Sequence, residues 1–269
     1  KRNDRGSRRI FNSQSRFKML SAVILTKNEE KNIRQCVESL TFCDEIIVVD
    51  DNSQDNTMEF AEKLSAKVFS RPLDNNFADQ RNFGLTRASG DWVLFIDADE
   101  RVSFSLRDEI QSEIKNPKSE IMGYRVKRVD HVFGKVLKHG DVGNFYEVRL
   151  AKKDSGKWER KVHEVWAVKG KVAELKNPLF HWAHSSFSEF TSAVNYYSTL
   201  HAEQKFKDGQ RSSLLKILLW PKLKFINNYF MKLGFIDGTA GFVQAMIMSF
   251  HSFLAWSKLW LLQNRKASS

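Results

Sequence analysis

The sequence predicts an α/β protein: an open, mostly parallel sheet wrapped by helices, with an amphipathic helical extension at the C-terminal end. Three observations predict it. Short apolar runs alternate with helical periodicities four times between residues 20 and 114. The apolar runs are continuous rather than alternating, as in strands covered on both faces. Polar clusters (TKNEE, DDNSQD and DADE) follow the first, second and fourth of these runs. They stand at the carboxyl ends, where open parallel sheets bind ligands.

LSAVILT (20–26) is the first strand. NEEKNIRQCVESL (28–40) places Ile33, Cys36, Val37 and Leu40 at helical spacing, with acids in its first turn. EIIVVDD (45–51) is the second strand. SQDNTMEFAEKL (53–64) opens with a helix-start signature, Ser53 or Asp55. AKVFS (66–70) is a short third strand, and FADQRNFGLTRAS (77–89) a helix that Gly90 ends. DWVLFIDADE (91–100) is the fourth strand, and SFSLRDEIQSEI (103–114) another amphipathic helix. Residues 120–180 alternate in short runs (IMGYRVKRV, FYEVRLAKK, KVHEVWAVKG) and read as an α+β continuation on the acceptor side of a cleft. Residues 186–269 are helical, apolar and rich in aromatics.

The 269 residues, 42% of them hydrophobic, suffice for one large core plus an appendage. Two cysteines, Cys36 and Cys43, support neither a disulfide framework nor a cysteine-based zinc site, which points to a reducing, cytoplasmic setting. The basic N-terminal stretch is not followed by an apolar core, so a secretory signal is not expected. The net charge of +11 sits at the two ends. Residues 1–18 carry seven basic side chains against Asp4, and residues 200–269 carry ten against three acids. Basic ends suit a polyanion, either nucleic acid or an anionic membrane face. The first stretch has no hydrophobic period and reads as a flexible arm.

Asp97 and Asp99 close an apolar strand. Isolated buried carboxylates are costly. A divalent cation, Mg2+ or Mn2+, removes that cost and would also bind phosphate oxygens. The competing reading, acids that merely cap the next helix, leaves the two neighbouring polar clusters unexplained.

AVILTKNEEKNI, EIIVVDDNSQD, QRNFG and GDWVLFIDADE resemble the nucleotide-sugar half of family-2 glycosyltransferases, which have the GT-A fold. KVHEVW, LKNPLFHW, YYSTLHAE and LGFIDGTAGF resemble the branch that contains lipopolysaccharide-core β-1,4-glucosyltransferases, so the likeness runs over residues 19–262. It implies a GT-A catalytic domain over 19–185, and the residue pattern beyond it reads as a helical, membrane-associating extension over 186–269. It also implies an inverting transfer of a hexose, with glucose the first guess, from a UDP-sugar to an envelope glycolipid or glycan. Thr26, Glu29 and Asp51, with Asp50 beside it, match positions that contact the uridine. A carboxylate there would accept the uracil N3–H, a donor that cytosine lacks. Arg81 matches an arginine near the nucleotide. Asp97 and Asp99 match the Asp-x-Asp that holds metal and sugar. DDNSQD stands where many relatives have a Ser-Gly-Ser variant, which leaves the role of the first acid intact.

An inverting transfer needs a carboxylate to take the acceptor hydroxyl proton. Asp141, Glu147 and Glu164 are the candidates, and the resemblance of the VHE segment favours Glu164. A strand-edge glutamate paired with Lys161 or Arg160 is the structural alternative. His163 would orient Glu164. His181 would reach back to the metal or the diphosphate, against the plainer reading of a packed histidine.

Residues 213–235 mix aromatics and leucines with Lys216, Lys222, Lys224 and Lys232, and Pro221 is expected to break or kink the helix. Residues 238–257 form a 20-residue stretch without a formal charge, just long enough to span a bilayer. Gln244, Ser249, His251 and Ser252 interrupt it, while Phe242, Met246, Phe253, Trp256 and Trp260 recur at helical spacing. This favours an interfacial helix on the inner face of the cell membrane over packing, a homo-oligomer contact or a true span. Two other functions are weighed. A polyprenyl-phosphate acceptor would need no base. A nucleic-acid-binding module using the basic ends would leave Asp97 and Asp99 without a role.

Overall fold

The computed structural model describes residues 18–116, 120–132, 134–143, 145–161, 164–182 and 187–267. The basic arm, except Lys18, and His163 lie outside them.

The expected parallel sheet is present. β1 (Leu20–Thr26), β2 (Glu45–Asp50), β3 (Lys67–Ser70) and β4 (Trp92–Asp97) are parallel neighbours in the order β3-β2-β1-β4. Their alternating side chains fill two apolar clusters. Ala22, Ile24, Val48, Leu94 and Ile96 face one side, with α1 (Ile33–Ser39) and α4 (Phe104–Lys115) over them. Val23, Leu25, Ile47, Val49, Val93 and Phe95 face the other, beneath α3 (Phe77–Arg87). Covering both faces is why these strands read as unbroken apolar runs. α3 comes close because position 84 is glycine. A Cβ there would lie 2.5 Å from Val23 Cγ1.

Register brings the chemistry to one edge. Thr26 pairs with Asp50, Leu25 with Asp97, and Asp50 with Ser70. The second helix, α2, is shorter than expected, Thr57–Lys63, and the Asp55 carboxylate accepts the Thr57 backbone N–H. Residues 28–30 likewise stay out of α1. Their backbone N–H groups go to Ser53 Oγ, Thr57 Oγ1 and Asp55 Oδ2 instead, with Asn28 at φ +53°.

The strand expected over 91–100 is two strands. β4 ends at Asp97, a turn holds Ala98 and Asp99, and β5 (Glu100–Val102) leaves in a new direction. Beyond β4 the sheet continues through β8 (Phe145–Lys152), β6 (Ile121–Val132) and β12 (Leu179–His181) to β5. β8 is antiparallel to β4 and β6, and β12 is parallel to β6. β7 (Lys135–Leu137) and β11 (Lys171–Glu174) also pair with β6. β9 (Gly156–Glu159) and β10 (Val165–Val168) form a separate hairpin whose Trp158 and Trp166 pack on Phe95.

The C-terminal part is helical, as expected. It comprises α5 (Phe187–Lys207), α6 (Leu214–Ile226), a π-helical turn (Asn227–Met231), a 3-10 turn (Gly234–Asp237) and α7 (Gly238–Ala267). α6 runs through Pro221 rather than breaking at it. α7 docks on the sheet, where Ala240 and Ile247 share a cluster with Val132 and Leu137. Lys258 Nζ fastens α7 to α5, lying 2.6–2.8 Å from four acceptors that share its three N–H groups: the Asn195 carbonyl oxygen, Asn195 Oδ1, Ser198 Oγ and Thr199 Oγ1. No single described helix is long and apolar enough to cross a membrane. One bent pair, 214–231 with 234–264 at 73°, passes by length and composition together.

Candidate active site

A cleft of about 830 Å3 opens over the carboxyl ends of β1, β2 and β4. Eight of the nine predicted site residues line it: Thr26, Glu29, Asp51, Arg81, Asp97, Asp99, Glu164 and His181. Asp50 does not. It is fully buried beneath the cleft, and its carboxylate accepts the Ser53 backbone N–H and hydroxyl, holding the turn after β2. The expectation that Asp50 sits beside Asp51 at the nucleotide is corrected accordingly.

Beside the ends of β1 and β2, Asp51 accepts from Lys27 Nζ at 2.7 Å and from the Leu73 backbone N–H at 2.8 Å, which ties the 72–75 loop down. Asn75 Oδ1 of that loop accepts from Tyr196 of α5 at 3.2 Å, so α5 reaches across the mouth. Glu29 Oε2 accepts from Asn32 at 2.7 Å, yet burial pushes the Glu29 carboxyl up to about 7. Thr26 Oγ1 is buried without a hydrogen-bond partner among the described residues.

Arg81 organises the centre. Its Nε donates to Glu164 Oε1 and its Nη2 to Asp97 Oδ1, both at 2.9 Å. The guanidinium lies 4.6 Å from the Trp158 ring centroid, so the β9–β10 hairpin shelves it. Arg149 of β8 faces Arg81 across Asp97. Its Nη2 lies 3.0 Å from Asp97 Oδ2, 2.9 Å from Glu100 Oε1 and 2.8 Å from Glu147 Oε2. Burial alone would raise the Asp97 carboxyl, but Arg149 and Arg81 hold it well below the usual carboxylate range. Burial pushes Glu100 up, against the pull of Arg149. Nη1 of Arg81 and Nη1 of Arg149 are buried without a hydrogen-bond partner among the described residues, and both side chains line the cleft. A buried N–H without an acceptor is costly and is satisfied when a ligand supplies one.

Asp99 lies on the turn between β4 and β5. Its Oδ2 is 3.1 Å from His181 Nε2, while His181 Nδ1 meets Asp130 Oδ1 at 2.9 Å. Burial opposes the charged ring, but the two carboxylates push His181 up to about 10. His181 therefore reaches into the site as expected and is not merely packed. Its partner Asp130, held in turn by Arg128 at 2.8 Å, was not anticipated. Nor was Arg149. Both come from strands whose mixed polarity is ordinary for an antiparallel surface strand.

Among the candidate bases, Asp141 is excluded. It bridges Lys224 and Lys232 at 2.6 Å, away from the cleft-lining residues. Glu164 and Glu147 both line the cleft, each held by an arginine. Glu164 pairs with Arg81, not with Lys161 or Arg160.

The lining is rich in acids. Seven carboxylates face four basic side chains and His181, and each of the four basic groups is already paired. Both oxygens of Asp97 are committed to arginines, so Asp99 and His181 are the two groups that would turn to an ion, the ring only after giving up the proton it shares with Asp99. Among the described residues no set of three or more His, Cys, Asp or Glu side chains is arranged to hold a metal ion. Two protein ligands suit Mg2+ or Mn2+, which take their remaining oxygens from phosphates and water.

Residues 21–173 match the family model described as Glycosyl transferase family 2. The chain is 31% identical over 256 residues to the lipopolysaccharide core biosynthesis glycosyltransferase LpsC of Rhizobium meliloti (strain 1021), covering 92% of this chain and 94% of that protein. It is 30% identical over 263 residues to the uncharacterized glycosyltransferase RC0292 of Rickettsia conorii (strain ATCC VR-613 / Malish 7), covering 92% of each. Among solved structures, glucosyl-3-phosphoglycerate synthase from Mycobacterium tuberculosis in complex with phosphoglyceric acid aligns with a TM-score of 0.48 at 18% identity, over 73% of this chain and 82% of that one.

Proposed function

The chain belongs to glycosyltransferase family 2, and on that footing we propose that it transfers a hexose, glucose in the first instance, from a UDP-sugar to a hydroxyl of a glycolipid or lipid-linked glycan, with inversion. The observation that carries this reading is the meeting of Arg81, Asp97 and Glu164 beside the Asp99–His181 pair in one cleft.

In this reading Glu29 and Asp51 meet the uracil and Thr26 Oγ1 takes a polar atom of the nucleoside. Asp99 and His181 would hold Mg2+ or Mn2+, the imidazole losing the proton it shares with Asp99. A divalent ion there would bind the diphosphate and stabilise the charge that develops on it as the sugar leaves. The unpartnered Nη1 of Arg81 then finds an acceptor on the donor. Glu164, kept in place by Arg81 Nε, accepts the proton of the attacking hydroxyl. Arg149 fixes Asp97 and presents its own Nη1 to the sugar. Phe145, Tyr196 and Tyr197 offer ring faces to an acceptor sugar. An acidic cleft disfavours a polyprenyl phosphate, whose nucleophile is an anion, and it disfavours nucleic acid for the same reason.

The deciding experiment is calorimetric titration of UDP with and without Mn2+, into the wild type and Asp99→Ala. Metal-dependent binding that disappears in the variant is the expected result. Absence of UDP binding to folded protein under every metal condition overturns the donor assignment.

A further inference from the structure

The helix α6 reads LLKILLWPKLKFI, nine large apolar residues in thirteen, yet Pro221 is its one buried residue. Leu215, Leu218, Leu223, Ile226, Phe230 and Met231 are each between 41% and 73% exposed. The patch continues onto α7. Phe242 lies 5.8 Å from Phe225 and 5.6 Å from Tyr229 by ring centroids, and Trp220 stacks on Trp256. An apolar surface this large and continuous is unusual in a protein that meets only water.

Charge decides what covers it. Residues 213–235 contain four lysines and no acid, and Asp141, which bridges Lys224 and Lys232, offsets only one. A second copy of the chain would set lysines against lysines. A surface carrying negative headgroups over an apolar layer satisfies both features. We infer that α6, the turns after it and the adjoining face of α7 dock in the plane of an anionic lipid bilayer. The docking is in-plane because α7 is held from behind. Its Ala240 and Ile247 are buried with β6 and β7, and Lys258 is fastened to α5, so threading α7 through a bilayer would strip these contacts. α5 also carries Tyr196 and Tyr197 at the cleft, which stands the cleft one helix away from the lipid.

The test is flotation of the full chain with vesicles of phosphatidylcholine, alone or mixed with phosphatidylglycerol, in the absence of any sugar donor. Flotation with the mixed vesicles, weakened by salt, is expected. Lys222→Gln lowers partitioning by about fivefold, and Leu218→Glu with Ile226→Glu abolishes it while the circular dichroism spectrum stays that of the wild type. Equal binding to neutral vesicles, or binding to neither, overturns the proposal. So does resistance of the membrane-bound chain to alkaline carbonate, which would mean a span. A vesicle-free dimer that the paired glutamate variant dissociates also overturns it.

Discussion

Arg81 and Glu164 are 83 positions apart in the chain and meet through a 2.9 Å hydrogen bond from Nε to Oε1. The contact places a carboxylate of the acceptor side against the group that also holds the first acid of the Asp-x-Asp turn. It makes the choice of base testable. Glu164→Gln is expected to lower kcat by about 10²–10⁴-fold and to leave UDP affinity near that of the wild type. Glu147→Gln is expected to retain most of the activity. Steady-state rates on a sugar acceptor, paired with calorimetry of UDP, distinguish the two; a larger loss at Glu147 would transfer the role to it.

Arg149 serves three carboxylates, one of which, Glu100, is wholly buried. Arg149→Met leaves that acid without its cation, and removing one partner of such a buried pair costs about 3–5 kcal/mol. Urea unfolding measures it. Adding Glu100→Gln to the same chain is expected to restore part of the loss, because the orphaned charge is removed. If the double variant is no more stable than the single one, the instability has another source.

Glu29 gives a pH dependence with a defined sign. Burial raises its carboxyl from 4.5 to about 7. The native state thus keeps a proton that the unfolded chain releases. This contribution to stability is complete below pH 4.5 and is lost as pH rises through 7. Between pH 4.5 and 8, unfolding free energy is expected to fall more steeply in the wild type than in Glu29→Gln. Parallel curves would show that Glu29 titrates alike in both states.

The parallel half of the sheet was legible because burial on both faces imposes one pattern: an apolar run that stops where the site begins. Asp97 and Asp99 stood out against that run, and so did the acids of TKNEE and DDNSQD. Asp50 misled because adjacent acids look alike in sequence, while the strand's alternation sends one down to Ser53 and the other up to the cleft. Asp141 misled for a different reason, since its lysine partners come from 83 and 91 residues downstream. Arg149 and Asp130 carry no local signal at all. Each acts through partners that only the strands added beyond β4 bring within reach. β5 escaped because three residues are too few to show a period, and its acid continues the preceding motif.

Each basic side chain lining the cleft already has a carboxylate partner, and carboxylates remain in excess. On the reading proposed above, such a cleft would act as an ionic sieve. Free phosphate and uncomplexed nucleotides would meet repulsion at its mouth, while an anion that arrives with its own divalent counterion would bring the missing positive charge along. The same balance would favour departure of the spent diphosphate together with its metal.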